Sequence, residues 1–152
     1  MMKPYRLLSC ILLAALAGNS GVLALDEDAV VKPQIMTKAD IAGEVFSRPD
    51  MIKTERPGGA TYDVTSLLSS DEKFASGMYR AGASRVEIDE PYGVDEFMYF
   101  LEGGVTLTSS DGSVQVINAG DAVTIPKEWT GVWETGGYTK IWVIYSATGE
   151  IE

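Results

Sequence analysis

Histidine is absent from this chain, and cysteine occurs once. The first absence removes every mechanism that needs an imidazole. A Ser-His-Asp triad, a Cys-His dyad, a His-x-x-x-His zinc helix and a zinc finger of two cysteines and two histidines are all excluded. The single cysteine, Cys10, excludes an intramolecular disulfide and a metal site built from four thiolates. Cations are scarce as well: 12 Lys and Arg stand against 22 Asp and Glu, for a formal net charge of −10. Nucleic-acid binding without sequence preference needs basic side chains to neutralise phosphates, so no nucleic-acid partner is expected. Proline is sparse, with six residues against sixteen glycines. That ratio suits many tight turns and an all-β fold. No long hydrophobic run exists. What is present is a 152-residue chain, 45% hydrophobic and 22% charged. It is long enough for one globular domain with its own core.

The first 24 residues read as a cleaved signal peptide. Lys3 and Arg6 form a basic start without an acid. Leu7 to Ala17 is an 11-residue apolar core, broken only by Ser9 and Cys10 and too short to span a bilayer. Gly18-Asn19-Ser20-Gly21 ends the run, and Val22-Leu23-Ala24 offers a cleavage site after Ala24, with Ala15-Leu16-Ala17 as the alternative. A buried core helix is the competing reading. Leu8-Ser9-Cys10 is no lipoprotein box, because the apolar core follows the cysteine. The expectation is export to the periplasm or beyond, with no membrane insertion after cleavage. Cleavage removes Lys3, Arg6 and Cys10, leaving 10 basic and 22 acidic residues, a net charge of −12 and no cysteine. Such a domain must rest on its own core.

Residues 25–60 show no sustained period and read as an arm that is irregular or carries a short helix. Thr37-Lys38-Ala39-Asp40 is a capping signal for a helix reaching Phe46. Arg56-Pro57-Gly58-Gly59 marks a turn. From residue 61 to 152 the texture changes to short apolar alternations between turn residues. Strands are expected over Ser76–Arg80, Ser84–Ile88, Glu96–Leu101, Val105–Thr108, Ser113–Ile117, Ala122–Ile125, Gly131–Thr135 and Tyr138–Tyr145. Asp111-Gly112 signals a two-residue hairpin with positive φ at both positions, and Gly136-Gly137 a second turn. The order points to a single antiparallel jelly roll.

Three blocks carry a family likeness: Asp95-Glu96-Phe97-Met98-Tyr99-Phe100-Leu101-Glu102-Gly103, Ala119-Gly120-Asp121-Ala122-Val123-Thr124-Ile125-Pro126-Lys127, and Trp129-Thr130-Gly131-Val132-Trp133-Glu134. Together with Lys140, they make the segment from Ser76 to Ser146 resemble the cupin superfamily. Within it, the segment is most similar to the group that includes ureidoglycine aminohydrolase and ethanolamine-utilisation domains. The resemblance implies an RmlC-like barrel. It also implies a metal site of three histidines and one glutamate. Glu96 stands at the glutamate position. The histidine positions fall near Glu90, at Tyr92 and at Gly131, so one ligand of the usual four is kept.

Two readings of the metal follow. The expected one is that no metal is bound. In the other, Glu96 with Glu90 and Asp95 makes a carboxylate site suited to Mn or another hard divalent ion. Strand alternation puts Glu96, Met98 and Phe100 on one face, inward by the resemblance, and Phe97, Tyr99 and Leu101 on the other. Gly131, Trp133 and Thr135 then face inward too. Trp142 and Ile144 share one face of the last strand, and Ile141, Val143 and Tyr145 the other. The candidate ligand-binding residues are Glu90, Tyr92, Met98, Phe100, Gly131 and Trp133, and Glu96 is the candidate catalytic acid or base. Glu134 and Lys140 are placed to pair across the last hairpin. The expected function is binding of a small polar or nitrogen-containing molecule in the barrel. The alternatives are aminohydrolase-like chemistry on a ureido or amine compound, and a structural jelly roll that pairs as a homodimer through its outer face.

Overall fold

The computed structural model describes residues 30–149 and Ile151. The signal segment, Cys10 and both cleavage sites lie outside the described residues. No helix among the described residues is long and apolar enough to cross a membrane.

Eight antiparallel strands make up the fold: β1 (Ile52–Thr54), β2 (Thr61–Leu68), β3 (Phe74–Ala81), β4 (Ser84–Ile88), β5 (Asp95–Ser109), β6 (Val114–Asn118), β7 (Ala122–Ile125) and β8 (Gly131–Tyr145). Their main path runs β1-β2-β3-β8-β5-β6, with β4 added on β8 and β7 on β5. The all-β jelly roll read from the sequence is the observed architecture.

Two expected strand breaks are absent. Glu102-Gly103-Gly104 lies inside the 15-residue β5, and Gly136-Gly137 lies inside the 15-residue β8. The β5–β8 register shifts between Phe100 and Glu102 and again between Gly104 and Thr106. These are β-bulges, where an extra residue bends the strand and changes which side chains face inward. Before the bulges, Met98 and Phe100 are buried; beyond them, Val105 and Leu107 are. On β8 the inward set passes from Trp133 and Thr135 to Tyr138 and Lys140. Each long strand therefore serves two layers. The start of β5 and the end of β8 join β3 and β7, while the end of β5 and the start of β8 join β6 and β4.

The other local readings differ in detail. Thr37 caps a helix, α1 (Lys38–Ile41), with Thr37 and Asp40 bonding each other's backbone N–H. The helix stops short of Phe46, because Gly43 turns the chain at φ +114. A one-turn 3-10 helix, Glu44–Ser47, follows and buries Val45 and Phe46. The turn after β5 is longer than two residues. Only Gly112 takes positive φ (+84), and the Asp111 carboxylate accepts from Ser113 N–H at 2.9 Å.

Apolar side chains pack in three groups. One fills the barrel with Met98, Phe100, Leu107, Ile125, Trp133 and Tyr138. The second lies outside it, where Val45 and Phe46 cover Val64 and Met78. The third holds Ala75, Trp142 and Ile144 at one end of the interior. Beyond the patch covered by Val45 and Phe46, the outer face leaves Phe74, Phe97, Tyr99 and Tyr145 exposed.

The bulge glycines give the fold a direct test. A Cβ at Gly103 (φ +64) would stand 2.0 Å from the Gly137 carbonyl oxygen, whereas one at Gly112 would meet nothing within 4 Å. Gly112→Ala should cost about 1 kcal/mol, from left-handed strain alone. Gly103→Ala adds overlap and should cost about 2–4 kcal/mol. Urea unfolding of both variants checks the order; equal losses would contradict the bulge packing.

Candidate functional site

Glu96 is the second residue of β5 and points into the barrel, 4% exposed. Lys140 of β8 points into the same space, 5% exposed. The backbone register sets Glu96 opposite Ile144, Met98 opposite Trp142 and Phe100 opposite Lys140. The lysine stem therefore runs back along the strand, past Met98, to reach the glutamate. Its Nζ donates to Glu96 Oε1 at 2.6 Å and to Met98 Sδ at 3.0 Å. Three rings surround the ammonium, with centroids at 5.4 Å (Trp133), 5.6 Å (Tyr79) and 5.8 Å (Tyr138). At these distances the ring quadrupoles attract a cation, more so when it is stripped of water.

Tyr92 completes the group. Its hydroxyl donates to Glu96 Oε2. The loop that carries it is tied to the loop before β8: Tyr92 N donates to Trp129 O at 3.0 Å, and Gly93 N to Lys127 O at 2.8 Å. The rings of Tyr92 and Trp129 meet edge-on at 6.3 Å. Asp95 holds the same junction by accepting from Lys127 N at 3.0 Å. Burial pushes the Tyr92 hydroxyl pKa well above the usual tyrosine value, and the Glu96 charge raises it further. Burial likewise raises Tyr138, followed by the neighbouring Tyr79.

The remaining candidates divide. Met98, Phe100 and Trp133 line the interior around Lys140, and Phe100 meets Tyr138 edge-on at 5.3 Å. Glu90 is exposed on the surface. No group of three or more His, Cys, Asp or Glu able to hold a metal occurs among the described residues, so Glu90, Asp95 and Glu96 do not converge as the carboxylate site required. Gly131 is a packing position: a Cβ there would fall 2.2 Å from Thr108 O and 2.8 Å from the Trp129 ring. Glu134 and Lys140 do not pair. Glu134 is exposed, 3.9 Å from Arg85, because the bulge at Gly136-Gly137 turns Lys140 inward. Lys140, Tyr79, Tyr138 and Trp142 are the interior residues missing from the sequence-derived set. The available signal was a lysine sharing alternation with Trp142 and Ile144. A surface depression of about 180 Å³ between β5 and β6 lies away from this group, lined by Gly103, Val105, Val116 and Asn118 among others.

Residues 68–140 match the family described as the EutQ-like cupin domain. A DUF861-family protein from Thermotoga maritima is 34% identical over 48% of this chain and 80% of its own, with a TM-score of 0.39. The chain belongs to the cupin superfamily. Two further solved structures superpose on this cupin and share its fold. One is a protein of unknown function from Rhizobium leguminosarum (TM-score 0.52, 21% identity, 76% of this chain and 99% of that one). The other is an RmlC-like cupin from Shewanella frigidimarina (TM-score 0.50, 15% identity, 64% of this chain and 86% of that one). No curated protein matches the chain in sequence.

The metal that the cupin pattern implies does not suit these residues. The carboxylate at the ligand position, Glu96, has one oxygen taking an ammonium proton at 2.6 Å and the other taking the Tyr92 proton. A divalent cation beside Glu96 would face a fixed positive charge. It would find aromatic faces and a thioether where imidazoles are needed.

Two outcomes follow. Lys140→Met leaves Glu96 buried without its partner and should cost about 3–5 kcal/mol, much of it recovered when Glu96→Gln is added; a double-mutant cycle by urea unfolding measures this. Tyr92 and Tyr138 hold their protons more tightly folded than unfolded. Their contribution is therefore full below about pH 10 and is lost as pH rises above it. Spectrophotometric titration should show tyrosines that ionise only with unfolding, and one fewer in Tyr92→Phe.

Proposed function

We propose that this cupin is an exported protein that binds a small polar, nitrogen-containing molecule inside its barrel, at the Tyr92–Glu96–Lys140 group. One observation carries the reading. The indole Nε1 of Trp142, two residues along β8 from Lys140, is buried and has no hydrogen-bond partner. A buried donor without an acceptor costs on the order of 1–3 kcal/mol, so a ligand that supplies the acceptor recovers that cost.

The neighbouring groups describe the ligand. Trp142 and Lys140 are both donors, and they stand two residues apart on the inward face of β8. They favour a carbonyl or carboxylate oxygen. Glu96 is the buried carboxylate in contact with Lys140 and accepts N–H groups. An amide or ureide carries both functions in one small molecule.

The aminohydrolase reading assigns Glu96 to proton transfer. Both of its oxygens already hold protons donated by Lys140 and Tyr92. That arrangement favours holding a ligand over shuttling protons.

Thermal unfolding of the chain lacking residues 1–24, with ureides, amides, amines and sugars, tests the proposal. A ligand at one hundred times its dissociation constant should stabilise by about 2.7 kcal/mol. The expected result is a rise with amides or ureides that Trp142→Phe weakens about tenfold in affinity. No stabilising compound at millimolar concentration, or a rise untouched by Trp142→Phe, would sink it.

A further inference from the structure

We infer that the Lys140 ammonium is the resident cation of this barrel, and that the pocket it fills is a recognition site for a primary alkylammonium, not for a divalent metal. The inference stands whether or not an external ligand also binds at Trp142.

Three independent features define the pocket. The charge is matched, because Glu96 supplies one carboxylate for one ammonium, in contact at 2.6 Å. The walls are those of an ammonium cage: Tyr79, Trp133 and Tyr138 place their ring centroids 5.4–5.8 Å from Nζ. A soft sulfur closes the remaining side, with Met98 Sδ 3.0 Å away. The site is also buried, with Glu96 and Lys140 each almost wholly removed from solvent and Tyr79 half-buried. Met98 is fully buried, and Trp133 and Tyr138 are each less than one-tenth exposed. A divalent ion keeps its hydration unless oxygen or nitrogen ligands replace it. An ammonium needs only one charge partner and polarisable faces.

The carboxylate is fixed from its far side. Tyr92 donates to Glu96 Oε2 and leaves Oε1 for the ammonium. The tyrosine thus aims the acceptor, and its loop is held by Trp129 and Lys127. The selectivity expected is for a linear primary amine. A bulky quaternary ammonium cannot donate to Glu96, and a neutral alcohol of the same length brings no charge.

The test is excision and replacement. Lys140→Ala removes three methylenes and the ammonium, which together correspond to n-propylammonium. Thermal unfolding of the wild-type chain and of Lys140→Ala is followed with n-propylammonium, n-propanol, tetramethylammonium or manganese chloride at matched ionic strength. The variant should regain on the order of 5 °C with n-propylammonium, and much less with the other three. The wild-type midpoint should move with none of them, nor with a chelator. If Lys140→Ala does not fold alone, its refolding yield in n-propylammonium against n-propanol gives the same comparison. Equal effects of the amine and the alcohol would overturn the inference. So would stabilisation of the wild-type chain by stoichiometric manganese.

Discussion

The contact between Lys140 and Glu96 is the constraint to which the barrel interior is fitted. Two opposite charges removed from water cost several kcal/mol each. That cost is tolerable only when every remaining proton and lone pair finds company. The rest of the interior meets this condition in detail. Tyr92 takes the second carboxylate oxygen, Met98 sulfur takes a second ammonium proton, and three aromatic faces take the remaining field. Most of these side chains are apolar, so the same residues that build the core also solvate a charge.

The cupin thus keeps the electrostatic plan of a metal barrel with different parts. A positive centre still faces a glutamate, but the centre is tethered to the backbone and cannot be exchanged with solvent. It also cannot offer an open coordination position. A ligand of the kind proposed would be held by hydrogen bonds and shape, and Trp142 Nε1 is a buried donor without a partner.

Much of this could be read from the sequence, for identifiable reasons. Alternation placed Glu96, Met98 and Phe100 on one face because the start of β5 is regular, and the family resemblance made that face the inward one. The same logic put Trp133 and Thr135 inward, and it set Trp142 and Ile144 on one face without deciding which side that face took. It failed where a bulge adds a residue. Gly136-Gly137 reads as a turn because glycine pairs usually serve turns, yet here they bend one continuous strand, and Lys140 ends on the opposite side from Glu134. Gly131 was chosen for the histidine that it replaces. Its nearest neighbour is the Thr108 carbonyl oxygen, brought there by the register of β5 on β8. The partner of a buried charge depends on such long-range register, which periodicity does not encode. Glu90 illustrates the converse: proximity in sequence to Tyr92 and Glu96 did not bring it inside.

The order of pairing has a consequence for how the chain comes to be folded. β8 is the last strand along the chain, yet it sits between β3 and β5 and also receives β4. The β2–β3 hairpin can zip as it emerges. The two layers cannot close until Tyr145 is available to face Asp95, fifty residues behind it. Until then, β3, β4 and β5 remain open edges beside a half-built core. The whole structure therefore has a late, all-at-once closing step that waits on β8.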